Sequence, residues 1–156
     1  GQWAVLNARQ EHRFLAAVQV IDQMSPDRRS ALMSRIRATN TQPEMAVRRM
    51  LHGLGYRYIL HVKRLPGRPD LVFPSRHKVI FIYGCFWHGH SCGRGFRPKT
   101  NGTFWAEKLD RNKERDEEQI RELKGLGWQV LTVWECEVRG YEMSRLEQRL
   151  VGFLDT

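Results

Sequence analysis

The chain has 156 residues, with 26 lysines and arginines against 17 acidic residues and a formal net charge of +9 at neutral pH. Hydrophobic residues make up 41% and charged residues 28%, proportions that are ordinary for a globular protein and exclude wholesale disorder. Because no apolar run approaches the roughly 18–20 residues of a membrane span, the basic excess favours nucleic acid as the partner.

Two helix-start signals lie in the first third of the chain. Residues 1–23 form an N-terminal extension to which we assign no role. Residues 25–27 (Ser-Pro-Asp) supply a capping serine and a proline in the first turn of a helix. Residues 41–44 (Thr-Gln-Pro-Glu) begin a second helix in capping-box form, and Gly55 ends it.

From residue 56 onward the hydrophobic period becomes that of strands. YRYILHV at 56–62 alternates like a half-buried strand, while DLVF at 70–73 and KVIFIY at 78–83 read as two buried strands joined by a short turn. The remaining elements are a charged helix from Thr103 to about Lys124, a last central strand WQVLTVW at 128–134, and a terminal helix over 143–154. This order predicts a single α/β domain over residues 24–156, with a central mixed sheet flanked by helices.

The segment YGCFWHGHSC at 83–92 predicts a structural metal site. The chain contains three cysteines, an odd and sparse set that makes no closed disulfide framework. Cys85, His90 and Cys92 have the spacing C-x4-H-x-C, and Cys136 supplies a fourth ligand from across the domain. Three sulfurs and one nitrogen suit tetrahedral zinc. The alternative is a group of small buried cysteines beside a surface histidine.

A carboxylate at the head of a buried strand predicts a second metal site. Asp70 follows Pro69 and precedes three apolar residues, so it needs a partner, because an unpaired buried charge is costly. A divalent cation, Arg68 or a helix N-terminus could be that partner. Many metal-dependent nucleases anchor magnesium with Pro-Asp, but their usual Glu-x-Lys on the next strand is replaced here by Phe-Ile-Tyr at 81–83.

Four segments together carry a family resemblance: GRPDLVF, VIFIYGCFWHGHSC, FWAEKLDRNKERD and LGWQVLTVWEC. In this order and spacing, from about Met24 to Gly140, they resemble the very-short-patch repair (Vsr) endonucleases. The resemblance implies a restriction-endonuclease-like core with a structural zinc. It also implies magnesium-dependent nicking of duplex DNA beside the thymine of a T:G mismatch, the lesion left when 5-methylcytosine deaminates.

The resemblance also implies roles for individual residues. Asp70 and the backbone carbonyl of Ile82 would hold magnesium, and His88 would activate or orient the attacking water. Glu44 and Asp116 would hold waters bound to that magnesium. The family's zinc ligands match Cys85, His90, Cys92 and Cys136.

This sequence departs from the family at two positions of that site. Tyr83 stands where the family usually has histidine, and Ile82 where it usually has threonine. Loss of the histidine puts the rate and fine mechanism in question, though not the metal anchor. Each role also has a structural alternative: His88 as a second histidine beside the zinc, Glu44 as the capping-box partner of its helix, and Asp116 as a solvated helix carboxylate.

Aromatic and basic residues predict a DNA-binding surface. The resemblance gives Phe86, Trp87 and Trp105 an intercalating role, and an exposed, rigid aromatic pair in a short loop suits a wedge that opens a base step. At helical spacing one stripe comprises Trp105, Leu109, Asn112 and Asp116, and a basic ridge beside it comprises Lys108, Arg111 and Arg115, placed to contact DNA phosphate. The alternative is a surface ion-pair ladder with Glu107, Glu114 and Glu118.

The expected partner is therefore double-stranded DNA with a T:G mismatch, with mismatch-repair factors and a functionally linked cytosine-5 methyltransferase as protein associates. We expect a monomer, without a membrane, in the bacterial cytoplasm at the nucleoid. Two other functions fit the same residues: a restriction-type nuclease that cuts matched sites, and a zinc-bearing DNA-binding module with weakened catalysis.

Overall fold

The structure, a computed structural model, describes residues 25, 28, 40–92, 101–138 and 142–156. The chain divides into two compact units, residues 1–41 and 42–156. In the first unit the backbone amide of Arg28 donates to Ser25 Oγ at 3.4 Å, the capping bond predicted for this serine. The remainder of that helix and the expected extension lie outside the described residues, so the domain boundary at 23/24 stays a prediction.

The second unit contains a four-stranded mixed sheet. Its elements are α1 (Gln42–Gly53), β1 (Ile59–Leu60), β2 (Leu71–Phe73), β3 (Lys78–Tyr83), α2 (Gly102–Gly125), β4 (Gln129–Trp134) and α3 (Glu142–Leu154), with 3-10 turns at Pro74–Arg76 and Glu135–Glu137. The strands lie in the order β1-β2-β3-β4. The first two pairs are antiparallel and the β3–β4 pair is parallel. The predicted meander, helical crossover and returning strand are confirmed.

Helices cover both faces of the sheet. Because successive strand residues point to opposite faces, β2 and β3 contribute to two hydrophobic clusters. On one face Leu71, Phe73 and Ile80 pack with residues of α1 and α3, and on the other Val72, Val79 and Phe81 pack with Leu123 of α2. This explains why both strands read as continuous apolar runs and not as alternating ones. Among the described helices, none is both long and apolar enough to cross a membrane.

The strand predicted over residues 56–62 is wrong for most of its length. Only Ile59 and Leu60 pair with β2. The next residue, His61, has a φ of 47°, in the left-handed region that a β-strand cannot use. Its amide still donates to the carbonyl of Asp70 at 3.1 Å. The chain therefore leaves the sheet at His61 and turns.

Glycine fixes the turn that returns the chain to Asp70. Gly67 has a φ of 75°, and a Cβ there would lie 2.9 Å from Phe81 Cζ and 3.0 Å from Gln119 Oε1. Any other residue would push the turn away from β3 and α2, because real Cβ atoms do not approach so closely. The LPGRP run thus sets the position from which Asp70 enters β2.

Candidate functional site

Four side chains form the predicted zinc cluster. The sulfurs of Cys85, Cys92 and Cys136 and a ring nitrogen of His90 all lie within 4.8 Å of one another, and Cys136 Sγ is 3.6 Å from His90 Nδ1. A tetrahedral zinc with bonds of about 2.3 Å separates its sulfur ligands by about 3.8 Å. The donor set and its spacing therefore fit a structural zinc ion, and the sequence predicted all four members.

The loop between β3 and the cluster is held by backbone contacts. The amide of His90 donates to the carbonyl of Cys85 at 2.9 Å, and that of His88 donates to Gly84 at 3.2 Å. The ring of His90 stacks on Trp134 with centroids 4.0 Å apart. Burial raises the pKa of the Cys85 thiol, so a cation is needed to hold it as a thiolate in this setting.

A second cluster joins Glu44, His61 and Asp70, whose ligand atoms also lie within 4.8 Å of one another. Glu44 lies on α1, and its side chain is only 3% exposed. His61 Nε2 lies 2.9 Å from Glu44 Oε1, and Arg48 Nη1 donates to Glu44 Oε2 at 3.2 Å. The histidine is the member that the sequence analysis missed. A buried carboxylate so close to the half-buried carboxylate of Asp70 makes a site for a cation.

The carboxyl of Asp70 has a pKa well above its ordinary value. Burial raises the pKa of its carboxyl to about 7, the charge of Glu44 adds to the shift, and the Ile82 amide and His61 oppose it. That amide donates to Asp70 Oδ2 at 2.7 Å. In an extended strand the N–H and C=O of one residue face the same edge, so the Ile82 carbonyl faces the edge at which Asp70 lies.

A histidine–carboxylate pair packs against Tyr83. His88 Nδ1 is hydrogen-bonded to Asp116 Oδ2 of α2, and the His88 ring stacks on Tyr83 with centroids 3.9 Å apart and planes 5° from parallel. The carboxylates of Asp116 and Asp70 both contribute to raising the pKa of the Tyr83 hydroxyl, after burial. The charges of Asp116 and Asp70 therefore both act on the Tyr83 hydroxyl.

The structure corrects the expected exposure of the aromatic residues. Phe86 and Trp105 are 1% and 0% exposed, and only Trp87 is half-buried. The three rings pack against one another, with centroid separations of 4.9 Å for Phe86–Trp87 and 5.4 Å for Phe86–Trp105. The expectation that the short loop leaves both its aromatics exposed is wrong for Phe86, because α2 supplies a wall for it. The intercalating role itself stays a prediction.

The stripe on α2 also faces inward. Trp105, Leu109, Asn112 and Asp116 are all buried, so this stripe is not an exposed surface of the helix, and its contact with DNA stays a prediction. Asn112 Nδ2 donates to the carbonyl of Trp87 at 3.1 Å, and Asp116 holds His88, so the stripe positions the loop. Beside the stripe, Arg111 and Arg115 are exposed and Lys108 is half-buried. A basic ridge that contacts DNA requires such exposure.

The chain is similar to one protein family and to several known proteins. The model of the family "DNA mismatch endonuclease Vsr" matches residues 21–94. The chain is 48% identical over 134 residues to the type II nicking enzyme V.XorIIP of Xanthomonas oryzae pv. oryzae, covering 86% of this chain and 97% of that protein. It is 41% identical over 131 residues to the DNA mismatch endonuclease Vsr of Escherichia coli, covering 80% and 84% respectively.

Proposed function

This chain belongs to the Vsr family of DNA mismatch endonucleases and is a DNA-cleaving hydrolase, and from this premise we propose that it nicks one strand of duplex DNA beside the thymine of a T:G mismatch. We further propose that the cut depends on magnesium and that zinc is structural. The core that carries the site would be restriction-endonuclease-like. The observation that carries the proposal is the convergence of Glu44, His61 and Asp70 within 4.8 Å.

The donor set fits magnesium better than a softer metal. Carboxylate and carbonyl oxygens are the ligands that magnesium prefers. Asp70 would bind the ion through its carboxylate and Ile82 through its backbone carbonyl, with Glu44 holding waters at the ion. A bound magnesium would polarise the phosphodiester and stabilise the charge that develops on its oxygens.

His88 is placed to handle the proton of the attacking water. An ionised carboxylate only accepts hydrogen bonds, so the bond to Asp116 puts the imidazole hydrogen on Nδ1 and leaves Nε2 free to take a proton. Asp116 thereby fixes both the tautomer and the orientation of the ring. A role for His88 beside the zinc is less favoured, since it is not a member of the cysteine cluster.

Binding and mismatch recognition would be divided between two surfaces. Lys108, Arg111 and Arg115 would contact phosphates on any duplex. Such phosphate contacts carry no sequence information. Trp87 would lead an aromatic wedge that includes Phe86 and Trp105, and a mismatched step costs least to open. Since the rings pack together in the DNA-free protein, the wedge would have to rearrange on binding.

The lesion suggests the cellular setting. A T:G mismatch from deaminated 5-methylcytosine requires a cytosine-5 methyltransferase acting on the same DNA, and repair after the nick requires further mismatch-repair factors. We place the enzyme as a monomer in the bacterial cytoplasm, at the nucleoid.

A nicking assay on paired oligonucleotide duplexes tests the proposal. One duplex carries T:G and its matched control carries T:A in the same sequence. We expect nicking of the T:G duplex with magnesium and none with chelator at a concentration that leaves zinc bound. Asp70→Ala should abolish nicking while zinc content stays at about one per chain. An Asp70→Ala protein with parental activity would refute the assignment of this cluster.

The same assay decides the second candidate function. Relatives such as V.XorIIP and the V.NmeAIP protein of Neisseria meningitidis, 43% identical over 124 residues, are named type II nicking enzymes. The second candidate function is nicking at a matched recognition site. That function requires the T:A duplex to be cut at least as well as T:G. Preference for T:G by a factor of ten or more would exclude it.

A further inference from the structure

His61 has an unusual position for a histidine of the carboxylate cluster. It lies beyond the end of β1 with a φ of 47°, a conformation that costs free energy for a side chain with a Cβ and persists only where surrounding contacts enforce it. The amide of His61 is tied to the Asp70 carbonyl at 3.1 Å. The backbone is therefore strained at the residue that directs an imidazole at Glu44.

The ring of His61 makes a specific contact. Its Nε2 lies 2.9 Å from Glu44 Oε1, while Arg48 occupies Glu44 Oε2 at 3.2 Å. Each carboxylate oxygen thus has a donor from a different part of the chain. A carboxylate has about four lone-pair sites, so both bonds can persist while Glu44 faces a cation.

Imidazole and magnesium are a poor match as ligand and metal, because magnesium prefers oxygen donors. The hydrogen bond between His61 and Glu44 is the interaction that both partners make well. Residues that hydrogen-bond to the groups around a metal typically change its affinity about tenfold to a hundredfold.

We propose that His61 is a positioning residue of the divalent-metal site, which orients Glu44 beside Asp70 through the Nε2–Oε1 hydrogen bond. This deepens the proposed function and rests on it. Without the imidazole, the buried Glu44 carboxylate would lose the donor to its Oε1 and rotate or recruit water. The metal site would then lose the arrangement in which its carboxylates converge.

Metal binding by the zinc-loaded, DNA-free protein tests the inference without relying on activity. Manganese is the probe, since it shares the preference of magnesium for oxygen ligands and its free form is seen by electron paramagnetic resonance. We expect His61→Ala to weaken manganese binding by about tenfold to a hundredfold. His61→Gln, whose amide N–H can replace the imidazole donor, should stay within about threefold of the parent.

His77→Ala is the matched control. His77 also has a left-handed backbone, with φ 53°, and it packs against Trp128 away from the cluster, with ring centroids 5.2 Å apart. Replacing His77 by alanine should change backbone strain by about as much as His61→Ala does, and it should leave manganese affinity unchanged. A loss in His77→Ala equal to that in His61→Ala would show a general effect on folding and overturn the inference.

Two further results would also overturn the inference. One is a His61→Ala protein with the manganese affinity of the parent. The other is an equal loss of manganese affinity in His61→Gln and His61→Ala, which would mean that the imidazole ring matters and its hydrogen bond does not. Asp70→Asn separates this failure from that of the proposed function. If Asp70→Asn loses manganese and His61→Ala keeps it, only the inference fails. If Asp70→Asn keeps manganese, the proposed metal site itself is wrong.

Discussion

Tyr83 and His88 stack face to face, with ring centroids 3.9 Å apart and planes 5° from parallel. Tyr83 is 7% exposed. Within the described ranges 40–92, 101–138 and 142–156, its hydroxyl oxygen is the one buried side-chain nitrogen or oxygen without a hydrogen-bond partner. The ring therefore makes the useful contact, while the hydroxyl carries a desolvation cost.

Tyr83→Phe should stabilise the protein and preserve its activity. Removing a buried hydroxyl that lacks a partner should raise the free energy of unfolding by about 1 kcal/mol, and the phenyl ring keeps the stack on His88. Tyr83→Leu removes the stack and should lower the nicking rate at least threefold. Chemical denaturation and single-turnover nicking measure the two effects. A less stable Phe variant would show that the hydroxyl is satisfied in solution.

His88 and Asp116 should behave as one unit in kinetics. His88→Ala should lower the nicking rate by about a hundredfold to ten-thousandfold, the usual contribution of a positioned acid or base. Asp116→Asn should also lower it, because an amide permits the wrong tautomer. The double variant should be no slower than the slower single variant, since residues acting together are not additive. Additive losses would place the two residues in separate steps.

The raised pKa of Asp70, about 7, predicts how stability depends on pH. The folded protein binds this proton more tightly than the unfolded chain, whose aspartate pKa is about 3.9. Stability from this group is therefore full below about pH 4 and is lost as the pH rises through 7. Asp70→Asn does not titrate, so without magnesium its melting temperature should match the parent at pH 4 and exceed it at pH 8.

Magnesium should reverse that difference. Added at pH 8, it should raise the melting temperature of the parent through binding to the folded state, and leave that of Asp70→Asn unchanged. Thermal unfolding of zinc-loaded protein at both pH values measures this. A melting temperature for Asp70→Asn below that of the parent at pH 8 without magnesium would contradict the raised pKa.

Trp87 and Arg111 should separate mismatch recognition from general DNA affinity. Trp87→Ala should reduce nicking of a T:G duplex far more than it weakens binding to T:A DNA. Arg111→Ala should weaken both duplexes by a similar factor and lower the salt slope of binding by about one. Phe86 and Trp105 are less informative, because a buried Phe or Trp replaced by alanine costs about 3–5 kcal/mol of stability. Equal losses on both duplexes in Trp87→Ala would make Trp87 a packing residue.

Cys136→Ala should lower both zinc content and folded yield. Cys136 follows β4, whereas the other three ligands lie in the loop after β3, so the site ties that loop to the sheet. Metal analysis should find about one zinc per parental chain and less in the variant. Ser91→Ala, an exposed position between two ligands, is the matched control. A folded, active protein without zinc would contradict the assignment.

Local patterns were sufficient to predict most of the sheet. Long apolar runs identified β2, β3 and β4, and the charged helix between them required a crossover that places β4 parallel to β3. The four members of the cysteine cluster could also be predicted, since three of them share one short segment and Cys136 is the only further cysteine of the sequence.

The role of His61 and the burial of one face of α2 could not be predicted from local sequence patterns. His61 continues an alternating pattern, and its left-handed backbone depends on the turn at Gly67 and the contact with Asp70. The stripe on α2 was visible as a stripe, but helical spacing does not reveal which surface packs against it. Those contacts form only when the loop after β3 meets α2.

The end of β3 joins three contacts within four residues: Ile82 binds Asp70, Tyr83 supports His88, and Cys85 enters the cysteine cluster. Side chains alternate between the faces of a strand, so inserting or deleting one residue here exchanges the faces. A single-codon insertion or deletion would remove all three contacts together, whereas many substitutions would affect one. Length variation among nucleases built on this plan should therefore be excluded from this stretch and confined to surface turns.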